Sequence, residues 1–272
     1  MLRRCAMCEL RCGADRLGGE AAPCGLGARS HTFKRHLSLA EELELLPSYM
    51  VYLGGCNFRC SFCVQAPRCF VARGGEPVDA PELAEELRSV VARGARTINL
   101  LGGEPSLHLH TILRIAERAP GLPLVLNSNM YMTPRVLELL DGVVRLYLAD
   151  LKFGDDACAR ELAGVDRYWA VVTRNLIRAA GQGELLVRHL LMPGHVECCL
   201  RPAAAWMAAR LPGVRFHVMT SYVPAYRAAR HPGPMSRTLA PEEIARAEEI
   251  LTGLGYPGVQ GGTAAHRATE AA

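Results

Sequence analysis

The sequence has no large surplus of either charge, because 31 Lys and Arg residues nearly balance 27 Asp and Glu residues. The net charge of +4 gives no case for binding nucleic acid or an anionic membrane surface. The sequence also lacks an internal repeat and any apolar run of transmembrane length. Its first residues, MLRRC, lack the apolar stretch of a secretory signal, so we expect a cytoplasmic protein without membrane partners.

Cysteine, by contrast, is abundant, with eleven residues in a chain of 272. In a secreted protein such a number would indicate disulfides. Here the cysteines cluster at spacings typical of metal ligands, and no export signal precedes them. We therefore expect a reducing compartment and metal chemistry.

Short apolar segments alternate with helical patterns along most of the chain, which predicts parallel βαβ units. The predicted strands cover 49–54, 96–101, 122–127, 143–149, 184–191 and 214–219. The predicted helices cover 80–93, 107–118, 134–140, 166–180, 200–210 and 241–253. Six such units are fewer than the eight of a closed barrel. The predicted fold is therefore α/β, a partial (β/α)6 TIM-like barrel with a small Cys-rich N-terminal extension.

The predicted organisation has three parts. Residues 1–46 form a Cys-rich metal-binding segment and a linker helix, since Leu37 to Leu46 is amphipathic and Pro47 ends the pattern. Residues 47–258 form the barrel core, and residues 259–272, which are small and polar, form a disordered tail. Half of the residues are hydrophobic, which is enough for a substantial core.

Polar residues follow the ends of nearly all the predicted strands. In parallel α/β folds the active site lies at the carboxyl ends of the strands, and scattered surface polarity would not produce this order. The sequence therefore predicts one site, built from the loop 56–63, Gly102-Gly103-Glu104, Asn127, Asn129, Asp150, Lys152 and Arg188.

Cys56, Cys60 and Cys63 form a C-x3-C-x2-C run directly after an apolar strand. Three thiolates on one loop can bind three corners of a 4Fe–4S cluster, but they cannot complete a four-coordinate zinc site. Iron–sulfur clusters are normally held by four thiolates, so the missing ligand leaves one iron open to a small molecule. The run therefore predicts a reactive cluster rather than a plain electron carrier.

With Phe62 before its last cysteine, this run resembles the C-x3-C-x-aromatic-C signature of the radical S-adenosylmethionine (SAM) superfamily. The resemblance implies a barrel of the radical SAM type, a 4Fe–4S cluster, SAM, and an electron donor such as flavodoxin or ferredoxin. It also implies that Phe62 lies at the cofactor and that Gly102, Gly103 and Glu104 bind the SAM amino group. Glycines allow a close backbone approach, and a carboxylate offsets an ammonium. Alternatively, the motif is only a turn before a helix.

Three further residues resemble SAM-binding elements of the family. Asp150 and Lys152 resemble the Asp-x-Lys element of glycyl-radical activating enzymes, which lies by the SAM. Arg188 resembles the arginine that pairs with the SAM carboxylate, a group that suits a forked guanidinium. Asn127 and Asn129 are candidates for the ribose hydroxyls. The alternatives are a local ion pair for the charged residues and strand-end turns for the asparagines.

The N-terminal cysteines predict a second metal site. Cys5, Cys8, Cys12 and Cys24 offer four thiolates, which make a closed site for zinc or for an auxiliary iron–sulfur cluster. The spacing does not decide between the two metals. Together with the cluster loop and the Asp-x-Lys element, this segment resembles the uncharacterised homologues of pyruvate formate-lyase activating enzyme.

The adjacent pair Cys198 and Cys199 follows the fifth predicted strand on the active-site side. These residues are candidates for catalytic thiols or for metal ligands. The alternative is that one of them is simply buried at the start of a helix, where free cysteine behaves as a small hydrophobic residue.

The resemblance implies an oxidoreductase that reductively cleaves SAM to methionine and a 5′-deoxyadenosyl radical, which abstracts hydrogen from a substrate. We expect that substrate to be a protein or peptide backbone, as in glycyl-radical activation. One alternative is the modification of a small molecule, a peptide or RNA. Another is a non-catalytic iron–sulfur or zinc scaffold, against which the strand-end positions of Glu104, Asp150 and Arg188 argue.

Overall fold

The computed structural model describes residues 1–20, 22–40, 42–230 and 232–259. The strands are β1 (His31–Ser38), β2 (Ser48–Leu53), β3 (Glu76–Pro77), β4 (Thr97–Gly102), β5 (Leu124–Ser128), β6 (Leu146–Asp150), β7 (Glu184–Leu190) and β8 (Arg215–Met219). The α-helices are α1 (Ala80–Ala92), α2 (Leu109–Arg118), α3 (Pro134–Leu140), α4 (Asp156–Ala163), α5 (Tyr168–Ala180), α6 (Arg201–Arg210) and α7 (Pro241–Gly253). A π-helix, Val196–Leu200, precedes α6. Over these ranges, no helix has the length and apolar character needed to cross a membrane.

The eight strands form one open sheet in the order β3-β1-β2-β4-β5-β6-β7-β8. The run from β2 through β4 to β8 is parallel throughout, which confirms the predicted partial barrel of six parallel strands. The sequence pattern does not predict β1 and β3, which add an antiparallel edge beside β2. Because β3 and β8 are the two outer strands of this sheet, the barrel does not close.

The linker helix predicted within 37–46 is wrong. Strand β1 continues to Ser38 and pairs with β2, and only a short 3-10 helix, Leu43–Leu45, follows. Backbone pairing with β2 outweighs the helix propensity of this stretch. The segment instead closes the amino end of the barrel, where the Leu45 carbonyl accepts the Thr97 hydroxyl at 2.6 Å. The Leu45 side chain joins an interior cluster with Val125, Leu146, Leu148 and Leu186.

Helix α4 is the one α-helix in the described residues that the sequence pattern does not predict; the six predicted helices lie close to their predicted bounds. At the start of α4 the Asp155 carboxylate accepts the backbone N–H of Cys158 at 2.7 Å. At its end Gly164 adopts a left-handed φ of +72°. With eight residues, α4 is too short to give a clear helical periodicity.

The N-terminal segment packs directly onto the barrel. Cys8 forms an isolated β-bridge with Met132, and the Thr133 hydroxyl donates to the carbonyl of Ala6 at 2.8 Å. The predicted domain boundaries stay predictions. Of the predicted disordered tail, residues 260–272 lie outside the described residues.

Candidate active site

The loop at the end of β2 carries Cys56, Cys60 and Cys63. The backbone N–H of Phe58 donates to Sγ of Cys56 at 3.4 Å. Burial raises the pKa of Cys60 to about 12, against the opposing effect of the Lys152 ammonium. Burial raises the pKa of Cys56, and the thiols of Cys60 and Cys63 contribute in the same direction, so the three thiols are neighbours. One loop therefore presents three neighbouring thiols, which suit three irons of one cluster.

Backbone hydrogen bonds fix this cluster loop to the end of α4. The N–H of Arg59 donates to the carbonyl of Ala163 at 2.9 Å, and the N–H of Ser61 donates to the carbonyl of Leu162 at 2.8 Å. The last carbonyls of a helix have no partner within that helix. The end of α4 is therefore a support for the cluster loop.

Cys69 is a further cysteine beside the cluster loop, and it lies outside the C-x3-C-x2-C run. Its Sγ lies 3.6 Å from Sγ of Cys63, and this hydrogen bond lowers the pKa of Cys63 to about 7. The Cys69 carbonyl accepts the N–H of Gly55 at 2.8 Å. Cys69 is therefore in direct contact with one of the three predicted cluster ligands.

Gly102 packs against Leu53 at the end of β2, and Gly103 and Glu104 pack against the start of the cluster loop. A Cβ added at Gly103 would overlap the carbonyl oxygen of Gly55 and lie 2.7 Å from its carbon. The N–H of Glu104 donates to the same carbonyl at 2.9 Å. Gly103 therefore allows close contact between two segments of the protein's own backbone, and the approach of a ligand to these glycines stays a prediction.

The carboxylate of Glu104 is buried and has three internal donors. Its Oε1 accepts the N–H of Ser106 at 3.0 Å and the hydroxyl of Ser128 at 2.8 Å. Its Oε2 accepts the N–H of Asn129 at 2.9 Å. Burial raises the pKa of Glu104 in spite of these hydrogen bonds. A carboxylate oxygen has two lone-pair sites, so Oε2 can accept another donor such as an ammonium.

Asp150, Lys152 and Arg188 form an ion-pair network. The Asp150 carboxylate lies 2.7 Å from Nζ of Lys152 and accepts Nε of Arg188 at 3.0 Å. Arg188 also donates to Oδ1 of Asn127 at 2.6 Å and to Glu42 at 3.4 Å. Burial raises the pKa of Asp150, but the charges of Arg188 and Lys152 outweigh it and leave the pKa below its ordinary value. The contacts of these three charged residues are therefore those of a local ion-pair network. Their predicted contacts with SAM stay predictions.

Asn129 and Phe62 also make internal contacts at this edge of the barrel. Nδ2 of Asn129 donates to Oδ1 of Asn57, next to the first cluster cysteine, at 2.8 Å. The ring of Phe62 lies 6.3 Å from that of Phe153 and 6.4 Å from that of Tyr222, between centroids. Asn129 therefore contacts the cluster loop, and Phe62, which is part of that loop, packs against Phe153 and Tyr222. The contacts of both residues with SAM stay predictions.

The four N-terminal cysteines share one neighbourhood. Burial raises the pKa of Cys8 to about 12, and Cys24 and Cys5 contribute in the same direction. Burial raises the pKa of Cys12, and the Cys5 and Cys24 thiols contribute in the same direction. Although all four residues are described, they are not a group with ligand atoms within 4.8 Å of one another. The second metal site at these residues stays a prediction.

Cys198 and Cys199 meet two residues that sequence reasoning does not select as ligands. Their thiols lie beside Cys158, from α4, and His195, just before the π-helix. Cys158 is far from the other three residues along the chain and shares no sequence motif with them. A signal for His195 is present, since it precedes Cys198 by three residues and helical residues three apart share a face.

The geometry defines a class of protein, a partial α/β barrel with three thiols and a buried carboxylate at its carboxyl edge. The sequence model of the Radical SAM superfamily matches residues 50–207. This chain belongs to the radical SAM superfamily, whose members are enzymes, as the cysteine signature predicts.

Relatives of known sequence or structure agree with this assignment. An uncharacterized protein of Methanocaldococcus jannaschii is 32% identical over 256 residues, covering 92% of this chain and 75% of that protein. The GTP 3',8-cyclase of Stenotrophomonas maltophilia is 32% identical over 142 residues, covering 51% of this chain and 40% of the cyclase. Streptococcus suis SuiB bound to its precursor peptide SuiA has a similar fold, with a TM-score of 0.53 and 15% identity over 74% of this chain and 43% of SuiB.

The superfamily implies a 4Fe–4S cluster and SAM, and the residues present fit both. The cluster loop offers three neighbouring thiols, and thiolates are the usual ligands of iron–sulfur clusters. Close by, Oε2 of Glu104 has room for another donor, and the buried hydroxyl of Ser106 has no partner among the described residues. Unsatisfied buried polar groups of this kind are typical of a ligand site.

Proposed function

We propose that this enzyme reductively cleaves SAM and uses the resulting radical to abstract hydrogen from a polypeptide. The observation that carries the proposal is the contact of Glu104 with the start of the cluster loop, where its N–H donates to the Gly55 carbonyl, next to Cys56, at 2.9 Å. The charge of Lys152 also lowers the pKa of Cys60, although burial has the larger, opposite effect. When bound, the cluster supplies an electron and an open iron, and SAM supplies the 5′-deoxyadenosyl radical. The electron comes from a donor such as flavodoxin or ferredoxin.

Different residues of the chain would bind the cluster and SAM. Cys56, Cys60 and Cys63 would hold the cluster, and Oε2 of Glu104 would accept a hydrogen bond from the SAM amino group. Arg188 would bind the SAM carboxylate by exchanging one of its present acceptors for it. The buried aromatic side chain of Phe62 would help to exclude water from this edge.

Two resemblances support a polypeptide substrate. The Asp150–Lys152 pair resembles the element of glycyl-radical activating enzymes, and the fold is similar to that of SuiB, whose structure contains a precursor peptide. A small molecule is the first alternative, since the cyclase relative acts on GTP. RNA is the second, although a net charge of +4 gives it no particular support. A non-catalytic scaffold is the third.

Anaerobic assays separate these functions. With a chemical reductant and SAM, the cluster-loaded protein is expected to form methionine and 5′-deoxyadenosine. With pyruvate formate-lyase added as a polypeptide probe, it is expected to give the EPR signal of a glycyl radical. SAM cleavage without a radical on the polypeptide would contradict the substrate class and favour another substrate. Absence of SAM cleavage by cluster-loaded protein would contradict radical catalysis and favour a scaffold.

Glu104→Gln is expected to weaken SAM binding roughly ten- to a hundred-fold, because a charge-assisted hydrogen bond is worth about 1.5–3 kcal/mol. The measurement is anaerobic equilibrium binding of SAM to protein of equal iron content. Ser128→Ala is the matched control, since it removes one donor to Oε1 and leaves the carboxylate in place. It should lose less affinity than the glutamine variant. Equal SAM affinity in wild type and Glu104→Gln would show that the amino group binds elsewhere.

A further inference from the structure

The most compact group of metal-binding side chains in the described part of the chain lies outside the cluster loop. It consists of Cys158, His195, Cys198 and Cys199, whose ligand atoms all lie within 4.8 Å of one another. Sγ of Cys158 lies 3.6 Å from both Sγ of Cys198 and Nδ1 of His195. Sγ of Cys198 lies 3.3 Å from the same nitrogen and 3.9 Å from Sγ of Cys199. Sγ of Cys199 is 3.9 Å from that nitrogen.

These distances are those of a tetrahedron around one metal ion. Zn–S bonds of about 2.3 Å and a Zn–N bond of about 2.0–2.1 Å place sulfurs about 3.8 Å apart and sulfur and nitrogen about 3.6 Å apart. A disulfide would need two sulfurs about 2.05 Å apart. A 4Fe–4S cluster would need wider spacing, because each ligand binds a different iron. We propose that Cys158, His195, Cys198 and Cys199 form a Cys3His zinc site.

The local backbone explains how three of these ligands reach one point. His195 lies just before the π-helix, and its carbonyl accepts the N–H groups of Cys199 at 3.0 Å and Leu200 at 3.3 Å. Residues three and four apart on a helix face the same side, so Cys198 and Cys199 both point toward the His195 ring. Single π-helical turns are frequent at functional sites. Cys158 completes the set from the first turn of α4.

The surroundings of the four ligands also suit a metal site. Burial raises the pKa of the Cys199 thiol, and the backbone of Gly154 opposes this effect, as an outer contact that stabilises a metal thiolate would. A Cβ at Gly154 would overlap the carbonyl oxygen of Cys198 and lie 2.7 Å from that of Cys199. The Asp155 carboxylate lies 3.7 Å from Sγ of Cys158. A divalent cation would offset the negative charge of that carboxylate and of the thiolates.

The site fastens α4 to the segment after β7. Cys158 is in the first turn of α4, and the cluster loop is bound to the other end of the same helix through Leu162 and Ala163. Because the protein fills all four positions, the zinc is structural rather than catalytic. It holds the support on which the cluster loop rests, and its presence does not depend on SAM chemistry.

Zinc analysis of full-length variants tests the site. In a background with Cys56, Cys60 and Cys63 replaced by alanine, Cys198→Ala and His195→Gln are each expected to contain about one zinc ion per chain less than the background. The N-terminal cysteines are the same in all three proteins, so any zinc that they bind contributes equally to each and does not affect the difference in zinc content. Cys69→Ala in that background is the matched control and should keep the zinc. Equal zinc content in background, Cys198→Ala and His195→Gln would overturn the proposal.

Alkylation of the unaltered chain gives a second measurement that requires no variant to fold. Cys198 is only half-buried, so without a metal its thiol would react with iodoacetamide. With zinc bound, Cys198 is expected to become reactive only after a strong chelator is added, as peptide mapping by mass spectrometry would show. Alkylation of Cys198 at the same rate with and without chelator would overturn the proposal.

Discussion

SAM should no longer change the EPR signal of the reduced protein once Cys56, Cys60 and Cys63 are all replaced by alanine. The three thiols are the proposed ligands, and without them no iron is left open for SAM. SAM cleavage is expected to fall to the background rate, and iron content to fall by about four atoms per chain. Anaerobic EPR spectroscopy, product analysis and iron analysis check these outcomes.

Cys69→Ala provides the matched control for this experiment. Cys69 is buried beside Cys63 but lies outside the cysteine signature, so this variant should keep a cluster that responds to SAM. Iron that stays in the triple variant would be assigned to the N-terminal cysteines, and it should not respond to SAM. A SAM-dependent EPR change in the triple variant would contradict the assignment of the cluster loop.

Gly103→Ala should unfold at a lower temperature than the wild-type protein and load less iron. The new Cβ would overlap the carbonyl oxygen of Gly55, which belongs to the backbone leading into the cluster loop. Overpacking of this kind costs about 1–3 kcal/mol. In a chain of this size each kcal/mol lowers the midpoint by about 2–4 °C. Anaerobic thermal unfolding and iron per chain after reconstitution measure the two effects.

Gly213→Ala is the control for the loss of a glycine as such. A Cβ at Gly213 meets no atom within 4 Å, and its backbone does not have the positive φ that disfavours alanine. Its unfolding free energy should therefore change by less than about 0.5 kcal/mol. If both variants unfolded and bound iron alike, the close contact between Gly103 and Gly55 would have no role in holding the cluster loop.

The six parallel strands could be predicted because each is a short apolar run separated from the next by a helical pattern. The stretch Leu37 to Leu46 shows the limit of that reasoning. Its composition favours a helix, but β2 offers an unpaired edge to which β1 binds. A local pattern contains no information about that partner. Helix α4 had local signals in Asp155 and Gly164, although it is too short for periodicity.

At the site, residues within a motif were predictable and contacts between motifs were not. The spacing of Cys56, Cys60 and Cys63 gives their shared role because one loop holds all three. Cys158 is 37 residues from His195, and only the folding of α4 against the segment after β7 brings their side chains together. The contact of Gly103 with Gly55 could not be predicted for the same reason. The sequence of one turn does not show which part of the backbone packs against that turn.

The apolar cluster at the amino end of the barrel determines how much of the chain is needed for a stable fold. Leu45, which fills the amino end, and Glu42, which pairs with Arg188, both precede residue 50, where the superfamily match begins. Strand β8 and helix α7 follow residue 207, where the match ends. A chain trimmed to the matched segment would lack Leu45, so the apolar side chains at the amino end of the barrel would be exposed to water. It would also lack Glu42, one of the carboxylates beside Arg188. The folding unit is therefore larger than the recognisable superfamily segment and includes Glu42, Leu45, β8 and α7.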